Sequence, residues 1–147
     1  METQEFGERK VDLRHKFIEV EGVKTYFVEA GEGKPLVLAD GWYGSWKAFE
    51  NSLPIFAKSR RVIAIDLWGF GGSDELPQKN SVQNYAEFLN KFLQKVGLNK
   101  ASIVGVSLGG SVALEFATKH PEMVEKLVVQ GAPFFGRDLI FSAKPPP

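Results

Sequence analysis

The amino-acid sequence predicts an α/β fold, a mostly parallel β-sheet flanked by helices, and three observations carry that expectation. Short apolar runs at residues 36–39, 61–66, 102–106 and 126–130 have the unbroken character of strands covered on both faces. Stretches with helical spacing stand between several of them, most clearly at 81–96 and 108–119. The alternation itself implies right-handed crossovers between parallel neighbours.

Each element has its own local reason. Residues 1–13 mix both charges without an apolar core and read as an N-terminal tail. Residues 16–20 and 25–30 read as two short strands joined by a turn at Glu21, Gly22 and Val23. The GEGKP turn at 31–35 leads into a buried strand at 36–39, and Gly41 and Gly44 bracket the loop after it. Residues 46–58 have helical character that Pro54 either interrupts or restarts. The strand at 61–66 (RVIAID) runs into a loop holding Gly69, Gly71 and Gly72.

In the helix at 81–96, Val82, Tyr85, Phe88, Leu89, Phe92, Leu93 and Val96 recur at the i, i+3, i+4, i+7 spacing of one buried face. Ser81 is placed to cap its start, and Gly97 suits the left-handed position past its end. A strand at 102–106, a helix at 108–119 and a strand at 126–130 follow. In such a sheet ligands gather at the carboxyl ends of the strands, so the loops at Asp40, Asp66, Ser107 and Gln130 are expected on one face.

Composition narrows the function classes. A chain of 147 residues, 44% hydrophobic and 24% charged, suits one packed domain rather than a disordered segment. Eighteen basic residues balance eighteen acidic ones, so the basic excess of a nucleic-acid binder is absent. No apolar run reaches membrane-spanning length, and the first residues lack the apolar stretch of a signal peptide, so the expected location is cytoplasmic. With no cysteine, thiolate metal sites, disulfides and cysteine nucleophiles are excluded. Two distant histidines, His15 and His120, suggest no metal cluster, and the expectation is neither metal nor cofactor.

The chemistry concentrates at Gly105-Val106-Ser107-Leu108-Gly109, a G-x-S-x-G motif with an apolar strand running in and a helix starting straight after. A serine on so tight a turn has a strained backbone and an outward hydroxyl. The helix start adds N–H groups that favour developing negative charge. The plain alternative is a Gly/Ser turn that only connects strand to helix. A phosphate cradle is the other competitor, but neither G-x-G-x-x-G nor G-x-x-x-x-G-K-[ST] stands at a strand-to-helix turn, and Gly69 to Ser73 precede the next helix by some eight residues.

Four blocks in order resemble the N-terminal part of the α/β-hydrolase superfamily, in particular its esterase, C–C hydrolase and haloperoxidase-like group. They are PLVLADGW at 35–42, VIAIDLWGFGGSD at 62–74, the helix at 85–98 and VGVSLGG at 104–110, with His120-Pro121-Glu122 closing the last helix. The resemblance implies a truncated α/β-hydrolase fold without lid and last strands. Its parts would be a partial core at 14–134 and, at 135–147, the start of a lid and a disordered tail. It implies that Ser107 is the nucleophile of an acyl-enzyme route. The N–H groups of Trp42 and Leu108 would form the oxyanion hole, Gly105 and Gly109 would be the elbow glycines, and Asp40, Gly41 and Trp68 are candidate lining residues. Serine at this place speaks against the dehalogenase and epoxide-hydrolase branches, which use aspartate there.

Two departures from the family pattern bear on activity. Asp40-Gly41 stands where the family has His-Gly, so a carboxylate either opposes the oxyanion or turns away into the loop. The acid and histidine that would activate Ser107 follow the elbow in the family, and neither is found here. His120 closes the helix that starts at Leu108, about 18 Å from Ser107 at 1.5 Å per residue, and reads as a helix terminator. His15 precedes the expected first strand, at the sheet edge away from the elbow.

Two functions are thus expected of the sequence. The first is a serine hydrolase of esters or related acyl compounds, weak or inactive in this chain alone, with a small-molecule acyl substrate. The second is a non-catalytic binding or assembly module, in which the apolar edge at Leu127, Val128 and Val129 pairs with a second copy or with a partner chain that supplies strands.

Overall fold

The computed structural model of the chain describes residues 2–6, 9–78 and 80–133. The expected lid start and tail at 135–147 lie outside the described residues. Seven strands form one sheet: β1 (Glu2–Phe6), β2 (Arg9–Val20), β3 (Val23–Ala30), β4 (Lys34–Ala39), β5 (Arg60–Ile65), β6 (Ala101–Val106) and β7 (Val124–Gln130). Their order is β1-β2-β3-β5-β4-β6-β7. The meander from β1 through β3 pairs antiparallel and joins β5 antiparallel, while β5, β4, β6 and β7 are parallel to one another.

Within the stretch expected as a tail, residues 2–6 and 9–13 are strand. They supply β1 and the first part of β2, in register from Glu2 opposite Leu13 to Phe6 opposite Arg9. The physical reason is visible in β2, where Val11 and Leu13 are buried and Asp12 between them is exposed. That is the period-two pattern of a half-buried strand, written with charged residues on its open face.

Helices cover the two faces unequally. On one face α2 (Val82–Lys95) and α3 (Leu108–Lys119) bury Phe88, Leu89, Phe92, Val112 and Phe116 against Phe27, Val37, Ile63 and Ile103. Ser81 Oγ accepts from Asn84 N–H at 3.1 Å, and Gly97 follows the helix at φ +78°, as the spacing predicts. On the other face a 3-10 turn, Trp46–Phe49, and a single helical turn, α1 (Leu53–Phe56), press Trp46, Phe49 and Leu53 onto Leu36, Leu38, Val62 and Ala64. Pro54 sits at the second position of α1, where a missing N–H costs nothing.

The strand order fixes where a ligand would sit. From β4 the chain crosses to β5 on one side, and from β6 it crosses to β7 on the other. The loops leaving β4 and β6 therefore diverge and open a crevice between their carboxyl ends, the usual binding place in open α/β sheets.

Candidate active site

Ser107 stands on that crevice. It follows β6, opens α3, and has φ 54° and ψ −123°, a conformation that side chains rarely adopt. Its backbone is held on both sides: its N–H donates to Gln130 O at 2.8 Å, and its carbonyl accepts from Gly110 N–H at 2.9 Å and Ser111 N–H at 3.2 Å. Its hydroxyl makes no capping bond to the helix it starts. The strain is therefore imposed by neighbours and leaves the oxygen unspent on local structure.

The elbow glycines are required by close approach. A Cβ at Gly105 would stand 2.4 Å from Gly109 O, and one at Gly109 would stand 2.3 Å from Ala39 O. These contacts lock α3 against the ends of β6 and β4. Gly41 lies across the crevice, where a Cβ would come 2.7 Å from Ser107 Cβ, 2.9 Å from Ser107 Oγ and 3.0 Å from Leu108 N. The expected neighbours Gly41, Ser107 and Leu108 thus share one small space.

Residues 41–44 form a turn closed by Gly44 N–H donating to Gly41 O at 3.0 Å. Its two central residues, Trp42 and Tyr43, are exposed, and Tyr43 has φ +56°. The Asp40 side chain packs against the end of this turn, its Oδ2 only 2.2 Å from where a Gly44 Cβ would be. The carboxylate that stands in place of the family's histidine is turned into the loop.

Asp66 is a second organising group. It is buried and accepts from Trp46 N–H at 2.7 Å and Gly72 N–H at 2.9 Å, and Gly71 leaves it room at φ +53°. Burial pushes its carboxyl above the usual range, and the bonds from Gly72 and Trp46 pull in the opposite direction. Ser73 Oγ donates to Asp66 O at 2.7 Å and accepts from Tyr26 N–H at 2.8 Å. The sequence marks Asp66 as a strand end but not as this hub; the signal was the Asp66-to-Ser73 spacing with three glycines between.

Trp68, expected to line the site, does not. It is 0% exposed, its Nε1–H donates to Thr25 Oγ1 at 2.8 Å, and its ring packs on Tyr85 and Phe88. The histidines are elsewhere as well. His120 terminates α3 at the end opposite Ser107, with Glu87 and Glu122 carboxylates at 3.7 and 3.8 Å. His15 does not precede the first strand but lies within β2, with three strands between it and β6, hydrogen-bonded to Tyr26 OH with its ring edge-on to Trp46. Among the described residues no group of three or more His, Asp or Glu could hold a metal ion. No helix among them is long and apolar enough to cross a membrane.

Residues 34–144 match the family model described as alpha/beta hydrolase fold. Two of the curated proteins that the chain resembles are hydrolases. A soluble epoxide hydrolase of Corynebacterium sp. (strain C12) is 33% identical over 80% of this chain and 41% of its own length. A 2-hydroxy-6-oxo-6-(2'-aminophenyl)hexa-2,4-dienoic acid hydrolase of Metapseudomonas resinovorans is 34% identical over 80% of this chain and 42% of its own. The crystal structure of Cfl2 from Burkholderia cenocepacia superposes with a TM-score of 0.81 at 32% identity, covering 91% of this chain and 46% of that one. The chain thus spans less than half the length of the relatives it matches.

Proposed function

From the premise that the chain belongs to the alpha/beta hydrolase family, we propose that Ser107 is the nucleophile of a hydrolase acting on esters or related acyl compounds. The observation that carries this is the strained backbone of Ser107, held at φ 54° beside Gly41 and the first N–H of α3. In the proposed route Ser107 Oγ attacks the carbonyl carbon as its proton passes to a base. The N–H groups of Leu108 and Trp42 then hold the oxyanion until the alcohol leaves, and water releases the acid. Relatives named as epoxide hydrolases carry the same fold, but the family resemblance associates that branch with aspartate at this place. The serine favours the acyl reading.

Neither His15 nor His120 is near enough to serve as the base. In the proposed route the base comes from elsewhere than these two histidines, such as a partner chain. The chain alone is therefore expected to be weak or inactive on activated esters, with only residual catalysis from the oxyanion site. The test is intact-mass analysis after a fluorophosphonate, with Ser107→Ala as control. Labelling that vanishes in the variant supports the reading and means that a base reaches Ser107; no labelling of a folded sample means that the serine is idle in this chain and favours the assembly-module reading.

One observation favours a second reading, that of a non-catalytic assembly module. Among the described strands β7 pairs only with β6, and Val128 on it is 56% exposed. A second copy or a strand-supplying partner would cover this edge. A strictly monomeric chain by light scattering would count against pairing with itself.

A further inference from the structure

Five aromatic residues, Trp42, Tyr43, Trp46, Trp68 and Phe70, stand in the segments after β4 and β5, and three of them are buried. Trp46 and Trp68 are buried in the two cores, and Phe70 is 4% exposed. Trp42 and Tyr43 remain open, at 45% and 53%. They are the two central residues of the turn whose first member, Gly41, touches Ser107.

Tyr43 is held there against its backbone preference. A bulky residue at φ +56° is an outlier that glycine or asparagine would fill without strain. The strain leaves half of the residue in solvent. What it does is set the ring. The Tyr43 ring meets Phe70 edge-on, with centroids 6.0 Å apart at 89°, and the Trp42 ring lies 6.1 Å away at 35°. Phe70 belongs to the loop after β5, so the ring is braced between two loops of the strand-end face. Behind it the turn is fixed by the Gly44-to-Gly41 bond and the Asp40 carboxylate against Gly44.

We infer that Tyr43, with Trp42 beside it, is a specificity-determining platform that stacks on a flat aromatic or conjugated group of the acyl substrate. This rests on the reading of Ser107 as nucleophile, because the platform gains its meaning from the reacting carbonyl next to it. The chemistry is that of offset and edge-to-face ring contacts, which favour a ring over an alkyl chain of similar size. Backbone strain kept at an exposed site is the further sign, since strain of this kind collects where ligands are bound.

The experiment uses two unreactive acyl mimics, phenylacetamide and hexanamide, titrated into the 147-residue chain and followed by emission of the exposed Trp42. Phenylacetamide is expected to bind about fivefold more tightly, the preference an aromatic contact provides. Tyr43→Gly, which fits the turn without strain, should bind both amides equally, while Tyr43→Phe keeps the preference. Equal binding by the parent chain, binding of neither amide, or a preference that survives Tyr43→Gly would overturn the proposal. The amides do not need an activated serine. A failure of the fluorophosphonate to label Ser107 would therefore count against an activated serine in this chain and leave a measured preference standing. Labelling together with equal amide binding would remove the platform alone.

Discussion

The Trp46 N–H donates to Asp66 Oδ1 at 2.7 Å, tying the segment after β4 to the end of β5. The second oxygen of the same carboxylate takes Gly72 N–H at 2.9 Å, so one buried group positions two of the loops that surround the crevice. Its energetics are opposed: burial disfavours the charge that the two donors favour. A raised folded value means that the folded chain holds this proton at higher pH than the unfolded chain. Stability therefore falls as pH rises from the unfolded value near about 3.9 through the raised folded value, and the full penalty persists above it. Urea denaturation across this window should give Asp66→Asn a pH slope of stability less negative than that of the parent chain.

Glu29 behaves in the opposite sense. Burial would raise its carboxyl, but the hydrogen bonds and charges of Lys16 and Arg61 outweigh it and hold the group below the usual range. A depressed value gives stability that is complete above the unfolded value near about 4.3 and is lost as pH falls through the folded one. Glu29→Gln is expected to cost about 1–2 kcal/mol at neutral pH, a modest figure because Lys16 and Arg61 both reach solvent. The gap between variant and parent should close in acid, as followed by thermal denaturation.

Gly41→Ala puts a methyl group 2.7 Å from Ser107 Cβ and 3.0 Å from Leu108 N, so the two loops must separate. A stability cost of about 1–3 kcal/mol is expected from such overpacking. If Ser107 reacts as proposed, its labelling rate should drop more than the folded fraction does, as mass spectrometry against time would record.

Ser107→Gly relieves a conformation that costs about 1–3 kcal/mol and gives back about 0.5–1 kcal/mol in unfolded-chain entropy. The variant is expected to melt as high as the parent or a few degrees higher. Ser107→Ala keeps the strain and gains nothing. A calorimetric comparison of the two variants separates backbone strain from loss of the hydroxyl.

Much of this arrangement was legible in the sequence, for reasons that differ by element. The spacing from Val82 to Val96 marks the face of α2, and an apolar run entering G-x-S-x-G marks the turn at Ser107, because both signals are local. β1 and the start of β2 were missed because their charged residues hide the alternation of Val11 and Leu13. Trp68 was misplaced because the glycines around it suggest an open loop, whereas Thr25, Tyr85 and Phe88 enclose it. The sequence leaves the turn of the Asp40 side chain toward Gly44 as one of two open alternatives, and the left-handed Tyr43 packs on Phe70 of a distant loop, which no local pattern encodes.

The position of β4 inside the sheet bears on how the crevice assembles. Leu36 pairs with Ser102 and Ala39 with Gly105, partners some 66 residues apart along the chain. The turn at Ser107 can form early from β6 and α3, which are neighbours in sequence, but Gly41 reaches it only after this long-range closure, the slow part of folding in such topologies. During refolding, contact between Gly41 and Ser107 should therefore lag behind helix formation, and its arrival would time the completion of the sheet's parallel half.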